Sequence, residues 1–122
     1  MQPKANLHRV KTRLPAKRRQ APIRRQPRGV WVIAHAAAQR GKERQLRGLL
    51  RNMVDPTHAE QGCLIYDLYE TEKAGKFYFY ELWATRRDLR RHASSLHFQR
   101  MQEALPEFAA GPMEVILLKS IR

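Results

Sequence analysis

GVWVIAHAAAQRGKERQL, residues 29–46, decides the fold because it admits two interpretations. A basic segment precedes it, it opens with a mostly apolar run, and three consecutive alanines at 36–38 could serve as a small-residue cleavage site. Those features are typical of a secretory signal, with a mature chain beginning near Gln39. In the other interpretation, residues 30–36 form the first strand of a folded domain, and everything before them is an extension.

The alternation within residues 30–36 favours the strand. Val30, Val32 and Ala34 would lie on one face, and the residues between them are also apolar except at His35. A strand covered on both faces has this composition. Residues 42–54 then change to helical spacing, with leucines at 46, 49 and 50 and Met53 on one side. We expect the Asp55-Pro56 pair to end or kink that helix.

The rest of the chain completes a recognisable order of elements. We predict strands over residues 63–70, 76–83 and 113–121, and a hairpin loop over 71–75. Thr85 and Asp88 form a capping-box-like start to one helix, Ser94-Ser95 separates it from a second, and Pro106 and Gly111-Pro112 interrupt the chain before the last strand. The order is strand, helix, strand, strand, helix pair, strand, which predicts an α+β, ferredoxin-like split βαβ sandwich. Removing residues up to Ala38 would delete its first strand, so we adopt the strand interpretation.

Composition limits the protein to one domain of 122 residues. No run of apolar residues is long enough to span a membrane. The single cysteine, Cys63, excludes an intramolecular disulfide and fits a reducing compartment, so we expect a cytoplasmic protein. A nucleophilic role for Cys63 is less favoured than that of a small buried apolar residue.

The net charge of +13 is concentrated in residues 1–28. This extension holds 10 of the 24 Lys and Arg residues and none of the 11 acids, so residues 29–122 carry a net charge of only +3. We expect the extension to be disordered. It could bind nucleic acid or another anionic surface through phosphate contacts, although a basic run without interleaved aromatics specifies no partner.

Candidate chemistry is concentrated in FYFYELWATRRDLRRHASSLHF, residues 77–98. Strand alternation places Glu81 between Phe79 and Trp83 on one face, and a helix would carry His92 toward it. One interpretation is structural: Glu81 accepts hydrogen bonds from a histidine or the backbone, and His92 and His97 are satisfied core or helix-end residues. The other is an apolar pocket with titratable groups suited to proton transfer. A zinc site of Glu81, His92 and His97 follows no standard ligand spacing, and we predict no metal.

With these elements in place, residues 29–122 resemble the antibiotic biosynthesis monooxygenase (ABM) family, especially its small stand-alone quinol monooxygenase members. The resemblance rests on GKE at 41–43, EQGCLIYDL at 60–68, FYFYELW at 77–83, the His92-x-x-Ser95-x-His97-Phe98 run and Gly111-Pro112. It implies a homodimer that forms an α+β barrel, with a pocket between sheet and helices in each subunit. It also implies oxidation of a small aromatic, quinol-like or anthrone-like substrate by dioxygen, without a metal or flavin cofactor.

The resemblance also assigns roles to residues. His92 or His97 would transfer the proton, His92 being the first choice, and Glu81 would orient one of them. The substrate would be bound by aromatic and polar side chains, namely Trp83, Phe79, Tyr66, His35 and Phe98.

Other branches of the resembling fold remain alternatives. Haem-degrading members use an Asn on the first strand and a His in the last helix, whereas this chain has Ala34 and His35 on the strand and no histidine around Gln102. An isomerase of small carbonyl compounds shares the aromatic strand and the histidine spacing. A non-enzymatic dimeric module, tethered to nucleic acid by residues 1–28, is the alternative of a different class.

Overall fold

A four-stranded antiparallel sheet forms around the strand that begins at Val30. The computed structural model describes residues 28–121. In chain order its elements are β1 (Val30–Ala37), α1 (Glu43–Arg51), α2 (Val54–His58), β2 (Cys63–Glu70), β3 (Lys76–Trp83), α3 (Arg86–Ala93), α4 (Leu96–Phe108) and β4 (Glu114–Leu118). The strand order is β2-β3-β1-β4, with every neighbouring pair antiparallel. This confirms the ferredoxin-like prediction and places the disputed segment at the centre of the sheet.

Prolines account for the main differences from the predicted elements. The first helix ends at Arg51, and Asp55-Pro56 lies inside the separate short helix α2. Pro56 is the third residue of α2, in a first turn whose amides have no helical partner in any case. Helix α4 continues through Pro106 to Phe108. The Gln39 side-chain amide donates to the carbonyl oxygens of Pro106 and Ala109, which holds this end of the helix. Strand β4 is shorter than predicted at both ends.

The two faces of the sheet differ in burial. The inner face packs against the helices, and its β1 residues Val32, Ala34 and Ala36 are buried. The outer face carries a half-exposed aromatic layer, in which Trp31 lies 5.3 Å from the ring of Tyr80 between centroids. Strand β1 is therefore covered on one face by its own chain, and the second cover predicted from its composition is not supplied by the described residues.

Hydroxyl caps fix the starts of the helices that follow β3. Thr85 accepts a hydrogen bond from the amide of Asp88 at 3.0 Å, as the capping-box pattern predicts. Ser95 accepts from the amide of Phe98 and donates to the carbonyl of His92, which joins the end of α3 to the start of α4. These caps set the relative positions of the two histidines in this region.

The remaining regional predictions are limited by the described range. Residues 1–27 lie outside it, so the expected disorder of the extension and its binding to nucleic acid stay predictions. Among residues 28–121 no helix has the length and apolar character needed to cross a membrane.

Candidate functional site

One carboxylate oxygen joins two histidines at the end of the sheet. Glu60 Oε2 lies 2.9 Å from Nδ1 of His92 and 2.6 Å from Nε2 of His97. An ionised carboxylate can only accept, so both nitrogens carry hydrogen and donate. In the neutral ring of His92 this leaves Nε2 unprotonated, with a lone pair available to take a proton.

Gly62 allows the loop before β2 to bring Glu60 to this position. Its φ is +83°, and a Cβ built on it would lie 2.2 Å from the side chain of Asp88. The left-handed conformation and the close approach both require glycine. The loop is held by two further hydrogen bonds, from the Glu60 amide to Thr57 O and from the Ala84 amide to Gly62 O.

The His92 ring lies among aromatic rings beside a cavity. Its centroid is 4.7 Å from that of Trp83, 5.4 Å from Tyr66 and 5.1 Å from Phe98. The cavity has a volume of about 150 Å³ and lies between the inner face of the sheet and helices α3 and α4. Its lining residues are Val32, Ala34, Tyr66, Phe79, Glu81, Leu89, His92, Ala93, Phe98, Met113 and Val115.

Glu81 and His92 both line this cavity, and burial moves their pKa values in opposite directions. Glu81 is 4% exposed, and desolvation raises its pKa to about 7, against the opposing effect of the Trp83 hydrogen bond. Desolvation lowers the pKa of His92, although Glu60 favours its charged form. Near neutral pH the cavity therefore offers a neutral imidazole together with a carboxyl group that is still substantially protonated.

The structure brings together most of the residues that the sequence singled out. Glu81, His92, Phe79, Tyr66 and Phe98 all line the cavity. Trp83 is fully buried and stacks beside His92, behind the cavity wall. His97 stands on the solvent side of Glu60, with its side chain 25% exposed against 4% for His92.

Two expectations about individual contacts were wrong. Glu81 does not orient a histidine: its Oε1 accepts a hydrogen bond from the indole nitrogen of Trp83 at 2.8 Å, because alternate residues of a strand share a face. His35 does not reach the cavity, since it points to the outer face, where its ring lies 4.5 Å from Tyr78. Its parity along β1 is opposite to that of the cavity residues Val32 and Ala34.

Glu60 is the residue that sequence reasoning missed. It belongs to the EQG segment, but it lies in a loop 32 residues before His92 and 37 before His97. No periodicity connects a loop carboxylate to a distant helix. The turn-forming Gly62 and the nearby buried strand were the signals available.

Glu60, His92 and His97 are also the group whose donor atoms could hold a metal ion, since those atoms lie within 4.8 Å of one another. A metal would have to enter between atoms that already share hydrogen bonds of 2.6 and 2.9 Å. These short separations are typical of charge-assisted hydrogen bonds. The expected absence of a metal stays a prediction.

A larger, open groove of about 870 Å³ runs between α1 and β2. Its charged side chains neutralise each other, because Arg47 donates two hydrogen bonds of 2.8 Å to Glu70. The ion pair lowers the pKa of Glu70 to about 2. The smaller cavity has the less common feature, two buried titratable groups among apolar walls, and it is the better candidate for chemistry.

The fold and the cavity residues agree with comparison to known proteins. A family model described as antibiotic biosynthesis monooxygenase matches residues 29–104. The chain belongs to this ABM family. The ABM match contains Glu60, Glu81, His92 and His97, and ends within α4.

Individual ABM relatives support the same assignment. The chain is 35% identical over 89 residues to "Putative monooxygenase Rv0793" of Mycobacterium tuberculosis, which covers 73% of this chain and 88% of that protein. The solved structure of Rv0793 aligns with a TM-score of 0.72 at 33% identity, covering 78% of this chain and 97% of that one. PA3566 from Pseudomonas aeruginosa aligns with a TM-score of 0.72 at 28% identity, covering 80% and 100%. The names support monooxygenase function at the level of the family.

Proposed function

We propose that the chain is a cofactor-independent monooxygenase that oxidises a small, electron-rich aromatic substrate with dioxygen in the 150 Å³ cavity. The observation that carries the proposal is the pairing, in one apolar cavity, of a neutral imidazole base with a buried carboxylic acid. A pair of titratable groups whose pKa values are shifted apart by burial is typical of acid–base catalysis. Family membership supplies the oxygenase class of the reaction.

In the proposed reaction His92 Nε2 removes the phenolic proton of the substrate. The electron-rich anion then reduces dioxygen and forms a carbon–oxygen bond to it, giving a ring-bound hydroperoxide. Cleavage of the O–O bond leaves one oxygen on the ring and releases the other as water, with both hydrogens of that water derived from the substrate. All four electrons that reduce dioxygen come from the substrate, so the balance requires no external reductant.

Each polar group near the cavity has a distinct part in this scheme. Protonated Glu81 donates to the substrate oxygen, where negative charge develops, and the apolar walls keep water out. Glu60 holds His92 in the tautomer that presents Nε2, and its charge stabilises the imidazolium that forms. His97, on the solvent side of Glu60, is a positioning residue that accompanies the same carboxylate.

Oxygen uptake tests the proposal. Purified protein treated with a chelator is given hydroquinone, a naphthohydroquinone and anthrone, with boiled protein as the control. We expect uptake above the control for at least one of these, unchanged by chelation. Activity that disappears with chelation and returns with added metal would refute the cofactor-independent mechanism, and no uptake from any substrate would refute the oxygenase.

The same base and acid would also serve an isomerase of a small carbonyl compound, with His92 removing a proton next to the carbonyl and Glu81 donating to its oxygen. This second candidate consumes no oxygen. Proton exchange into a carbonyl substrate under anaerobic conditions, in the absence of oxygen uptake under air, would favour it.

We further propose that the chain forms a homodimer through the outer face of its sheet. The support is the apolar character of that face, where Tyr78, Tyr80 and Ile116 are between 38% and 49% exposed. Sedimentation should give the mass of a dimer, and Ile116→Glu should give a monomer because it would bury an uncompensated charge. A wild-type monomer at micromolar concentration would contradict this.

A further inference from the structure

The dimensions of the cavity restrict which aromatic substrates can enter it. Its volume is about 150 Å³. A dry, apolar cavity of about 150 Å³ in another protein accommodates a single benzene ring. The walls here are almost entirely apolar, with the carboxyl of Glu81 and the ring of His92 as the titratable groups.

We propose that the cavity is a binding site for a monocyclic phenol or hydroquinone and excludes substrates with two or three fused rings. This inference rests on the proposed function for the reaction and adds the substrate class. The ring lies between Phe79 and Phe98, and its hydroxyl is directed to Glu81 and His92. A single ring leaves no apolar surface outside the cavity, whereas a fused second ring must displace a wall residue.

The walls that would have to move are held in place. Phe79 is 2% exposed and stacks on Tyr66 with ring centroids 4.7 Å apart. Phe98 follows the Ser95 cap at the start of α4 and makes an edge contact with His92. Forcing a larger group into a well-packed interior is unfavourable, so the exclusion acts through sterics and not through loss of hydrogen bonds.

Binding of phenol, 2-naphthol and 2-anthrol, measured by calorimetry, tests the size limit without relying on turnover. The three probes carry the same hydroxyl and differ by fused rings. We expect phenol to bind at one site per chain, with 2-naphthol weaker by about tenfold or more despite its greater hydrophobicity. Binding of 2-naphthol as tight as phenol, or no binding of phenol, would overturn the proposal.

Phe98→Ala identifies the site of binding, because it removes one benzene ring from the wall. We expect the variant to bind 2-naphthol at least as tightly as phenol, reversing the wild-type order. Phe108→Ala, at the far end of the same helix and outside the cavity lining, is the matched control and should keep the wild-type order. If Phe98→Ala does not fold, Leu89→Ala enlarges the same cavity and should shift the preference in the same direction. An unchanged order in the folded cavity variant would refute the assignment of the ring to this cavity.

Oxygen uptake separates the failure of the size limit from the failure of the function. Faster uptake with anthrone than with hydroquinone would overturn the monocyclic limit while supporting the oxygenase. Selective binding of phenol without uptake from hydroquinone would support the site and refute the oxygenase.

Discussion

Glu81→Gln should remove a large pH dependence of stability. The carboxyl has an ordinary pKa of 4.5 in the unfolded chain and about 7 in the folded one, because it is desolvated between the sheet and the helices. The difference of about 2.5 pKa units corresponds to roughly 3 kcal/mol at about 1.36 kcal/mol per unit. Glutamine has the same shape and can still accept the Trp83 hydrogen bond, but it cannot ionise.

The sign depends on which form each state prefers. The folded protein binds the Glu81 proton more tightly than the unfolded chain, so this stability is fully present below the unfolded pKa. It decreases as the pH rises from 4.5 toward about 7 and is lost above it. At low pH the wild type and Glu81→Gln should therefore have similar free energies of unfolding, whereas at high pH the variant should be more stable.

Urea denaturation of both proteins between about pH 4 and about pH 8 measures the effect. The difference in unfolding free energy, variant minus wild type, should rise by about 3 kcal/mol over this range. Glu72→Gln, at an exposed carboxylate in the hairpin loop, is the control and should show no comparable rise. A difference that stays constant with pH would show that Glu81 is not a desolvated acid, and would remove the donor from the proposed mechanism.

The titratable groups of the site and the turn at Gly62 give three further predictions. The pH profile of kcat/KM should fall through about pH 7 as Glu81 ionises, rise on its acid side as His92 loses its proton, and lose the falling limb in Glu81→Gln; an unchanged limb would contradict the acid's role. Glu60→Gln should lower kcat by about 10- to 100-fold and move the rising limb to lower pH, because a charged partner of the imidazolium is lost. Glu60→Asp should retain that limb, and an equal loss in both would indicate a steric effect. Gly62→Ala should destabilise the fold by about 2–3 kcal/mol in urea denaturation, since its Cβ would collide with Asp88 in a left-handed turn; a loss below about 0.5 kcal/mol would show that the loop relaxes freely.

The elements of the fold were predictable because their signals are local. Strands β2 and β3 occupy the predicted residues, 63–70 and 76–83, since alternation and a polar glycine-containing loop mark both of them. The caps at Thr85 and Ser95 act over three residues and were recognisable for the same reason.

The contacts within the site were less predictable because they depend on long-range geometry. The apolar residues on both faces of β1 hid which face is inner, so the position of His35 could not be assigned. Glu60 reaches His92 only through the turn at Gly62, and this partner left Glu81 to bond the neighbouring indole instead. Strand parity did predict that Glu81 and Trp83 share a face.

Oxygen uptake by His92→Ala, compared with His35→Gln, is the most direct test of the account. Both proteins are treated with a chelator, checked for folding by circular dichroism, and given hydroquinone. We expect His92→Ala to lose about 10²- to 10⁴-fold in rate, the range typical of a general base, and His35→Gln, on the opposite face of the sheet, to retain the wild-type rate. A folded His92→Ala protein with full oxygen uptake would contradict the assignment of His92 as the base.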